Sequence, residues 1–551
     1  MNNTNVNRGA RLAELGIIAI AVALFFFAAL IHLKYNPVDS DETSYATALM
    51  CCGTDYTSIY GFRFHDMFFP AGNIQCYNFA LPSYMLIPFF WICGVSLWTL
   101  KFMPIAVIGG SIVLLYYIVK YSFDAVTAGL TILLVASSSL FIDNARFALL
   151  TAEPLIGAFF IASIFFLVQY IRKRRPAYLF AAALLLGSGL SIKLTMVSYC
   201  FGLFMAGIII YPRVVRRTFA DKPLAIGTAY FFALGALLFI VYNITHGGDT
   251  LKLARFLLSS EKNCLGGNNH ELVRHAGERF LHLQNMLLDR GWIISNAVGA
   301  KPEDWFGYVT FCLAAVATPP LLLMKRQYES VKKLFFIHIL FAVVFITSFF
   351  SPGSWRQIHL AILFPYVQLG IALFFTTALR VAGGIPGRAL RVATCAIVLI
   401  PLLVIGVARS ENMVVYQSHY TEIMKESPGF DIAASQLLRY IQKNSRGEEL
   451  FFDRNTLEYM RLLSWGRIDG YPWRCKNEKE LFSSVNDHCE RGKKAWVICA
   501  YTKMVFFHEN FEAVIPVLQE DMRKAKRNMK LLTVISDTKN NVKLYAIYEC
   551  N

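Results

Sequence analysis

Three carboxylates fall within four residues at Asp39-Ser40-Asp41-Glu42, shortly after a long apolar run closes at Leu33. Carboxylates crowded beside a membrane surface are costly unless they bind something, which makes Asp41 and Glu42 candidates for holding a ligand. The plainer reading is electrostatic: acids suit the N-terminus of a following helix over 43–51, where the helix dipole favours negative charge. Tyr45 belongs to the same segment. A further carboxylate, Glu153, ends Arg146-Phe147-Ala148-Leu149-Leu150-Thr151-Ala152-Glu153-Pro154, just inside the next apolar run. An acid there needs either a role or a partner, and a salt bridge to Arg146 is the bland alternative. Lys193 closes the stretch Gly187-Ser188-Gly189-Leu190-Ser191-Ile192-Lys193, where a lysine snorkelling to the interface accounts for it equally well. Trp355-Arg356-Gln357-Ile358-His359 adds cationic groups between two late apolar runs.

The elements that must position these residues are membrane spans. Hydrophobic residues make up 56% of the 551 and charged residues 16%, with a mean hydropathy of +0.46, whereas soluble domains carry about 25% charge. Runs such as 12–33 and 389–407 reach the roughly 20 residues that cross about 30 Å of hydrocarbon. No small-residue cleavage site ends the first run, so it reads as a retained helix rather than a signal peptide. Short basic clusters follow: Arg172-Lys173-Arg174-Arg175; Arg213, Arg216, Arg217 and Lys222; Lys325, Arg326, Lys332 and Lys333; Arg380, Arg388 and Arg391. If all are cytoplasmic, two spans lie between consecutive clusters. The spans are then 11–33, 98–120, 124–141, 148–171, 176–191, 194–211, 223–243, 304–325, 334–350, 359–379 and 391–408. Eleven crossings result, with 34–97, 244–303 and 409–551 external. The apolar stretch 80–96, interrupted by Pro82, Pro88 and Gly94, reads as a helix lying in the interface.

Residues 1–408 thus form the membrane domain. The tail 409–551 alternates strands (450–453, 495–500, 531–536, 543–549) with helices (431–443, 508–528), as a small soluble α/β domain does. Eight of the cysteines fall in external segments, where disulfides persist, with Cys475–Cys489 and one of Cys51 or Cys52 with Cys76 as candidate bridges.

Nucleic-acid binding and a zinc-protease site are set aside, while a transporter or lipid flippase, and a sensor, stand as rival readings. The net charge of +16 sits in short inter-span loops and suits anionic lipid, not nucleic acid. His270 and His275 are five apart, about 140° around a helix, so they fail the zinc-protease spacing. A transporter or lipid flippase predicts internal repeats and mid-span charges, but the unusual charges here stand at outer span ends. A sensor leaves the acidic first loop without a role.

The combination resembles a membrane glycosyltransferase of the GT-C class, closest to the protein O-mannosyltransferases and the aminoarabinose transferases that modify lipid A (glycosyltransferase family 39-like). Asp41-Glu42 in the first external loop, the Pro-containing interfacial helix, the Arg146…Glu153-Pro154 segment and Gly187–Lys193 carry the resemblance. Ala80-Leu81-Pro82 stands where that family often has His-Pro-Pro, and Glu153 where Asp is usual. The resemblance implies a mainly α, polytopic GT-C fold of about eleven transmembrane helices plus interfacial helices, with a small external α/β C-terminal domain. It implies inverting transfer of a sugar from a polyprenyl-phosphate donor to an external lipid or glycan acceptor, such as lipid A, or alternatively to a protein. Asp41 is then the catalytic base, with Glu42 and Glu153 positioning the acceptor or a divalent metal ion. Lys193, Arg356 or Arg146 supplies charge to the leaving phosphate, and Tyr45 and His359 join the substrate contacts. The implied location is the plasma (inner) membrane, with site and tail on the periplasmic side.

Overall fold

The computed structural model describes residues 3–31, 33, 45, 61–64, 67–70, 73–75, 78–250, 252, 272–290, 303–350, 360, 363–426, 430–464, 468, 471–473, 478–491, 493–500, 511–536 and 543–550. The protein is a polytopic, mainly α-helical membrane protein. Its helices are α1 (Asn3–Leu30), α2 (Leu81–Cys93), α3 (Leu97–Ser122), α4 (Ala125–Ala136), α5 (Ser139–Arg146), α6 (Ala148–Thr151) and α7 (Glu153–Lys173). These are followed by α8 (Pro176–Leu190), α9 (Met196–Ile210), α10 (Pro212–Ala220), α11 (Lys222–Gly235), α12 (Leu237–Thr245) and α13 (Leu272–Leu287). The last apolar helices are α14 (Trp305–Met324), α15 (Tyr328–Ser348), α16 (Phe364–Gly383) and α17 (Arg388–Glu426).

Seven described helices are long and apolar enough to cross a membrane, and up to ten spans result if each bent pair counts as one. The 15-residue α8 falls at the remaining expected crossing. At 13 residues, α2 rises only about 20 Å, short of the roughly 30 Å hydrocarbon layer, in keeping with an interfacial helix.

Breaks in the spans have local causes. The expected span 124–141 divides into α4 and α5, bent by 62° at Ser137–Ser138. Serines there compete with the helical ladder, and the Ser138 hydroxyl accepts from Phe141 N to start α5 afresh. The expected boundary at 408/409 falls inside α17, which runs unbroken for 39 residues. No Gly or Pro intervenes between Gly406 and Pro428, so nothing in the chain ends the helix sooner.

The Gly-rich stretch before Lys193 serves helix packing. A Cβ at Gly187 would lie 2.0 Å from the Phe232 carbonyl oxygen, and one at Gly235 would lie 2.1 Å from that of Leu184. α8 and α11 therefore touch backbone to backbone, and only glycine fits. Gly235→Leu is expected to lower stability by about 1–3 kcal/mol or more through overpacking. Gly277→Ala on α13, where a Cβ meets nothing, changes it by less than about 1 kcal/mol. Thermal unfolding of the two variants in one detergent checks the contrast.

Hairpin β1 (Gly61–Phe64) and β2 (Met67–Pro70), and the strands β3 (Asn73–Gln75) and β4 (Asn78–Phe79), precede α2. The tail is built from α18 (Phe430–Asn444), β5 (Glu449–Asp453), α19 (Arg454–Leu463), β6 (Tyr471–Trp473), α20 (Glu478–Glu490), β7 (Ala495–Ala500), α21 (Phe511–Lys524), β8 (Met529–Ser536) and β9 (Lys543–Cys550). Its five strands run in the order β6-β5-β7-β9-β8, parallel across β6-β5-β7 and antiparallel across β7-β9-β8. Leu481, Val485 and Cys489 of α20 and Ile515, Leu518 and Met522 of α21 pack on Phe451, Val497, Ala546 and Tyr548. The proposed Cys475–Cys489 bridge is not made: Cys489 is a free thiol buried in this core, as is Cys550. An apolar helix face, not a cross-link, holds α20 in place. Cys51, Cys52, Cys76, Cys264 and Cys475 lie outside the described residues.

Two compact units result, one of 1–31, 76–81 and 104–419, the other of 32–75, 82–103 and 420–551. The second unit thus gathers β1 to β3 and α2 from Pro82 onward with the tail, where sequence order alone places them with the membrane domain.

Candidate functional site

Glu153 and Lys193 form an ion pair of 2.6 Å, at 0% and 2% side-chain exposure. Local chain geometry sets both partners. Ala152 adopts a left-handed φ of +62°, which costs an L residue on the order of 1 kcal/mol and turns the chain sharply between α6 and α7. Glu153 then opens α7, and Pro154 follows in the first turn, where its missing N–H has no helical partner to lose. Lys193 is held by the C-terminal turn of α8, its N–H donating to the Gly189 carbonyl, while the neighbouring Ser191 hydroxyl bonds Gly235 O. The N–H of Leu81 donates to Ser191 O at 3.3 Å, on the lysine's own loop. Tyr199, fully buried, lies within electrostatic reach of Glu153. Both charges of the pair are thus withdrawn from water and face one another.

Glu153 is therefore paired with Lys193 and not with Arg146, the partner weighed from sequence. Arg146 has a different task. It is fully buried, donating to the carbonyls of Ala28, Ala29 and Ile31 at the C-terminal end of α1, and to Tyr416 Oη and Gln417 Oε1 on α17. Helix ends leave their last carbonyls unpaired, and one guanidinium satisfies three of them while bridging to a second helix. The donors expected to meet substrate are directed instead to the α1 carbonyls and to Tyr416 and Gln417 of α17. Asp143, also buried, receives a bond from Tyr416 Oη at 3.5 Å and extends the same network.

A second buried cluster escaped the sequence reading. Asp304, fully buried at the start of α14, pairs with Arg409 of α17 at 2.8 Å, and Arg409 also donates to Leu134 O at the end of α4. Asp289, following α13, accepts from Ser138 Oγ at 2.5 Å, Ser139 N at 3.1 Å and Leu140 N at 3.3 Å. It thus caps α5 at the break between α4 and α5 and binds the described end of α13 to it. Burial pushes the Asp289 carboxyl up to about 6, with Arg409 and the Ser138 bond pulling against it and Asp304 pushing the same way. No local pattern marks these residues, although an acid immediately before an apolar run (Asp304-Trp305) is a helix N-cap signal.

Beside Pro154 the bundle leaves a small cleft among α3, α5, α7 and α16. Ile108, Phe141, Gly157, Ile161 and Pro365 make it mainly apolar, and Asn144 is its main polar group.

Tyr45 is fully buried. Asp41, Glu42, Arg356 and His359 lie outside the described residues. Among the described residues no three acids, histidines or cysteines gather as a metal-binding group, and Glu153, considered for one, is neutralised by Lys193.

Residues 80–243 match the family model for dolichyl-phosphate-mannose-protein mannosyltransferase. No curated protein sequence matches the chain. The fold is similar to that of ArnT from Cupriavidus metallidurans in the apo state, with a TM-score of 0.56 at 11% identity over 98% of each chain. The same protein bound to undecaprenyl phosphate gives 0.55 at 10% identity over 97% of each chain. The chain has the GT-C fold. An apo oligosaccharyltransferase from Archaeoglobus fulgidus is also similar, with a TM-score of 0.50 at 11% identity over 88% of this chain and 69% of that one. Within this GT-C chain, Arg146, Glu153 and Lys193 all fall inside the stretch that matches the mannosyltransferase family, whereas Asp289, Asp304 and Arg409 lie beyond it.

Proposed function

We propose that the protein transfers a glycosyl group from a polyprenyl-phosphate carrier to an external acceptor, with inversion at the anomeric carbon. The observation that carries this reading is the desolvated Glu153–Lys193 pair at the head of α7, on a frame shared with a protein solved with undecaprenyl phosphate. An acceptor oxygen attacks the anomeric carbon from the face opposite the carrier. The bond from that carbon to the phosphate oxygen breaks, and its electron pair leaves on the polyprenyl phosphate. Asp41 takes the proton when the acceptor is a hydroxyl, and Glu42 orients the acceptor or a divalent cation. Lys193, released from Glu153, and Arg356 meet the charge that develops on the leaving phosphate. A cell-envelope glycolipid such as lipid A is the acceptor class we favour, from the fold shared with ArnT along the whole chain. The mannosyltransferase family match favours a second reading, in which the acceptor is a protein hydroxyl.

A single-turnover assay tests both. Purified protein is given labelled polyprenyl-phosphate sugars with either an envelope lipid extract or a Ser/Thr-rich peptide, and release of free polyprenyl phosphate is followed. Asp41→Asn is expected to slow release by about 10²–10⁴-fold. If the variant matches wild type, Asp41 is not the base; if no donor is consumed with either acceptor, the transfer reading fails.

A further inference from the structure

We propose that α10 is a binding site for anionic phospholipid, in the leaflet at the basic end of the bundle. α10 is held between two apolar helices and bends by 108° from α9, so it runs across the bundle end rather than through the membrane. None of its nine residues is buried. On a helix of 3.6 residues per turn, Arg213, Arg216 and Arg217 fall within about 100° of arc, with Val214, Val215, Thr218 and Phe219 opposite.

The apolar side rests on the end of α9. A Cβ at Gly207 would lie 3.3 Å from Val215 Cγ2, and the Phe219 and Phe204 rings are 6.2 Å apart edge to face. Phe219 stays 63% exposed even so, beside spans that hydrocarbon must surround. Four other cations at this end are occupied within the protein. Lys120 bonds Glu14 (2.5 Å), Arg172 lies over the Tyr121 ring (3.8 Å), Lys333 donates to Ser122 O (2.6 Å) and Arg380 pairs with Asp124 (2.5 Å). The three arginines of α10 are exposed and meet no carboxylate among the described residues. The nearest acid in sequence, Asp221, is engaged in capping α11 through Leu224 N. Planar guanidiniums on one helix face, with an apolar side chain entering hydrocarbon beneath them, match the phosphate-and-acyl chemistry of an anionic diacyl lipid.

The test uses the full-length protein in detergent, titrated with phosphatidylglycerol or with phosphatidylcholine of the same acyl chains. Phosphatidylglycerol is expected to raise the unfolding midpoint by several degrees and phosphatidylcholine to leave it nearly unchanged. In Arg213→Gln/Arg216→Gln/Arg217→Gln, phosphatidylglycerol retained through gel filtration is expected to fall at least about tenfold. A triple Lys variant, Arg213→Lys/Arg216→Lys/Arg217→Lys, keeps most of the preference and guards against misfolding as the cause. Equal responses of wild type to the two lipids overturn the proposal, as does an undiminished preference in the triple Gln variant. A wild-type shift produced equally by soluble glycerol phosphate also overturns it, since it assigns the arginines to a free anion or an acidic partner.

Discussion

Lys193→Met is expected to destabilise the protein by about 3–5 kcal/mol, because it removes the ammonium paired with the buried Glu153 carboxylate. Glu153→Gln should be similarly costly, since it removes the carboxylate paired with that ammonium. The double variant Glu153→Gln/Lys193→Met removes both charges together and should recover most of the loss, giving a coupling energy above about 2 kcal/mol in the cycle. Unfolding midpoints of the four proteins in one detergent measure this. Turnover separates the structural part from the chemical one. The double variant, though refolded to near wild-type stability, is expected to release polyprenyl phosphate far more slowly, since the leaving phosphate has lost a cation. Wild-type turnover in the double variant would make the pair purely structural and withdraw Lys193 from the mechanism.

Arg409→Met should be comparably costly, because it leaves Asp304 and Asp289 as two buried carboxylates with no guanidinium between them. The same cluster imposes a pH dependence of known sign. A carboxyl held near 6 in the folded protein, above its ordinary value of 3.8, keeps its proton more tightly folded than unfolded. Its stabilising contribution is therefore present below about pH 4 and is lost as pH rises through 6. Relative to Asp289→Asn, the wild type should lose about 1 kcal/mol of stability between pH 5 and 7.5. Taking the difference cancels titrations shared by both proteins. A wild-type-minus-variant difference that is flat with pH would show that the donors from Ser138, Ser139 and Leu140 outweigh the burial of Asp289.

The sequence by itself determined what depends on one residue at a time. The seven long apolar helices were legible because transfer into hydrocarbon acts locally, and some twenty apolar residues in a row have few other stable settings. The same holds for the tail strands 450–453, 495–500 and 531–536, which fall within β5, β7 and β8, and for the 13-residue α2. The three-residue β6 and the helices α19 and α20 were missed, the first for lack of length and the others for their mixed polarity. Tertiary structure alone decided which charges meet. Glu153 passes over Arg146, seven positions away, for Lys193 on the loop after the next helix. Arg146 turns instead to carbonyls 115 to 118 residues distant, and Arg409 to an acid 105 residues away. A charge withdrawn from water must take a partner within a few ångströms, and that partner is set by which helix ends the packing brings together, which no spacing along the chain records.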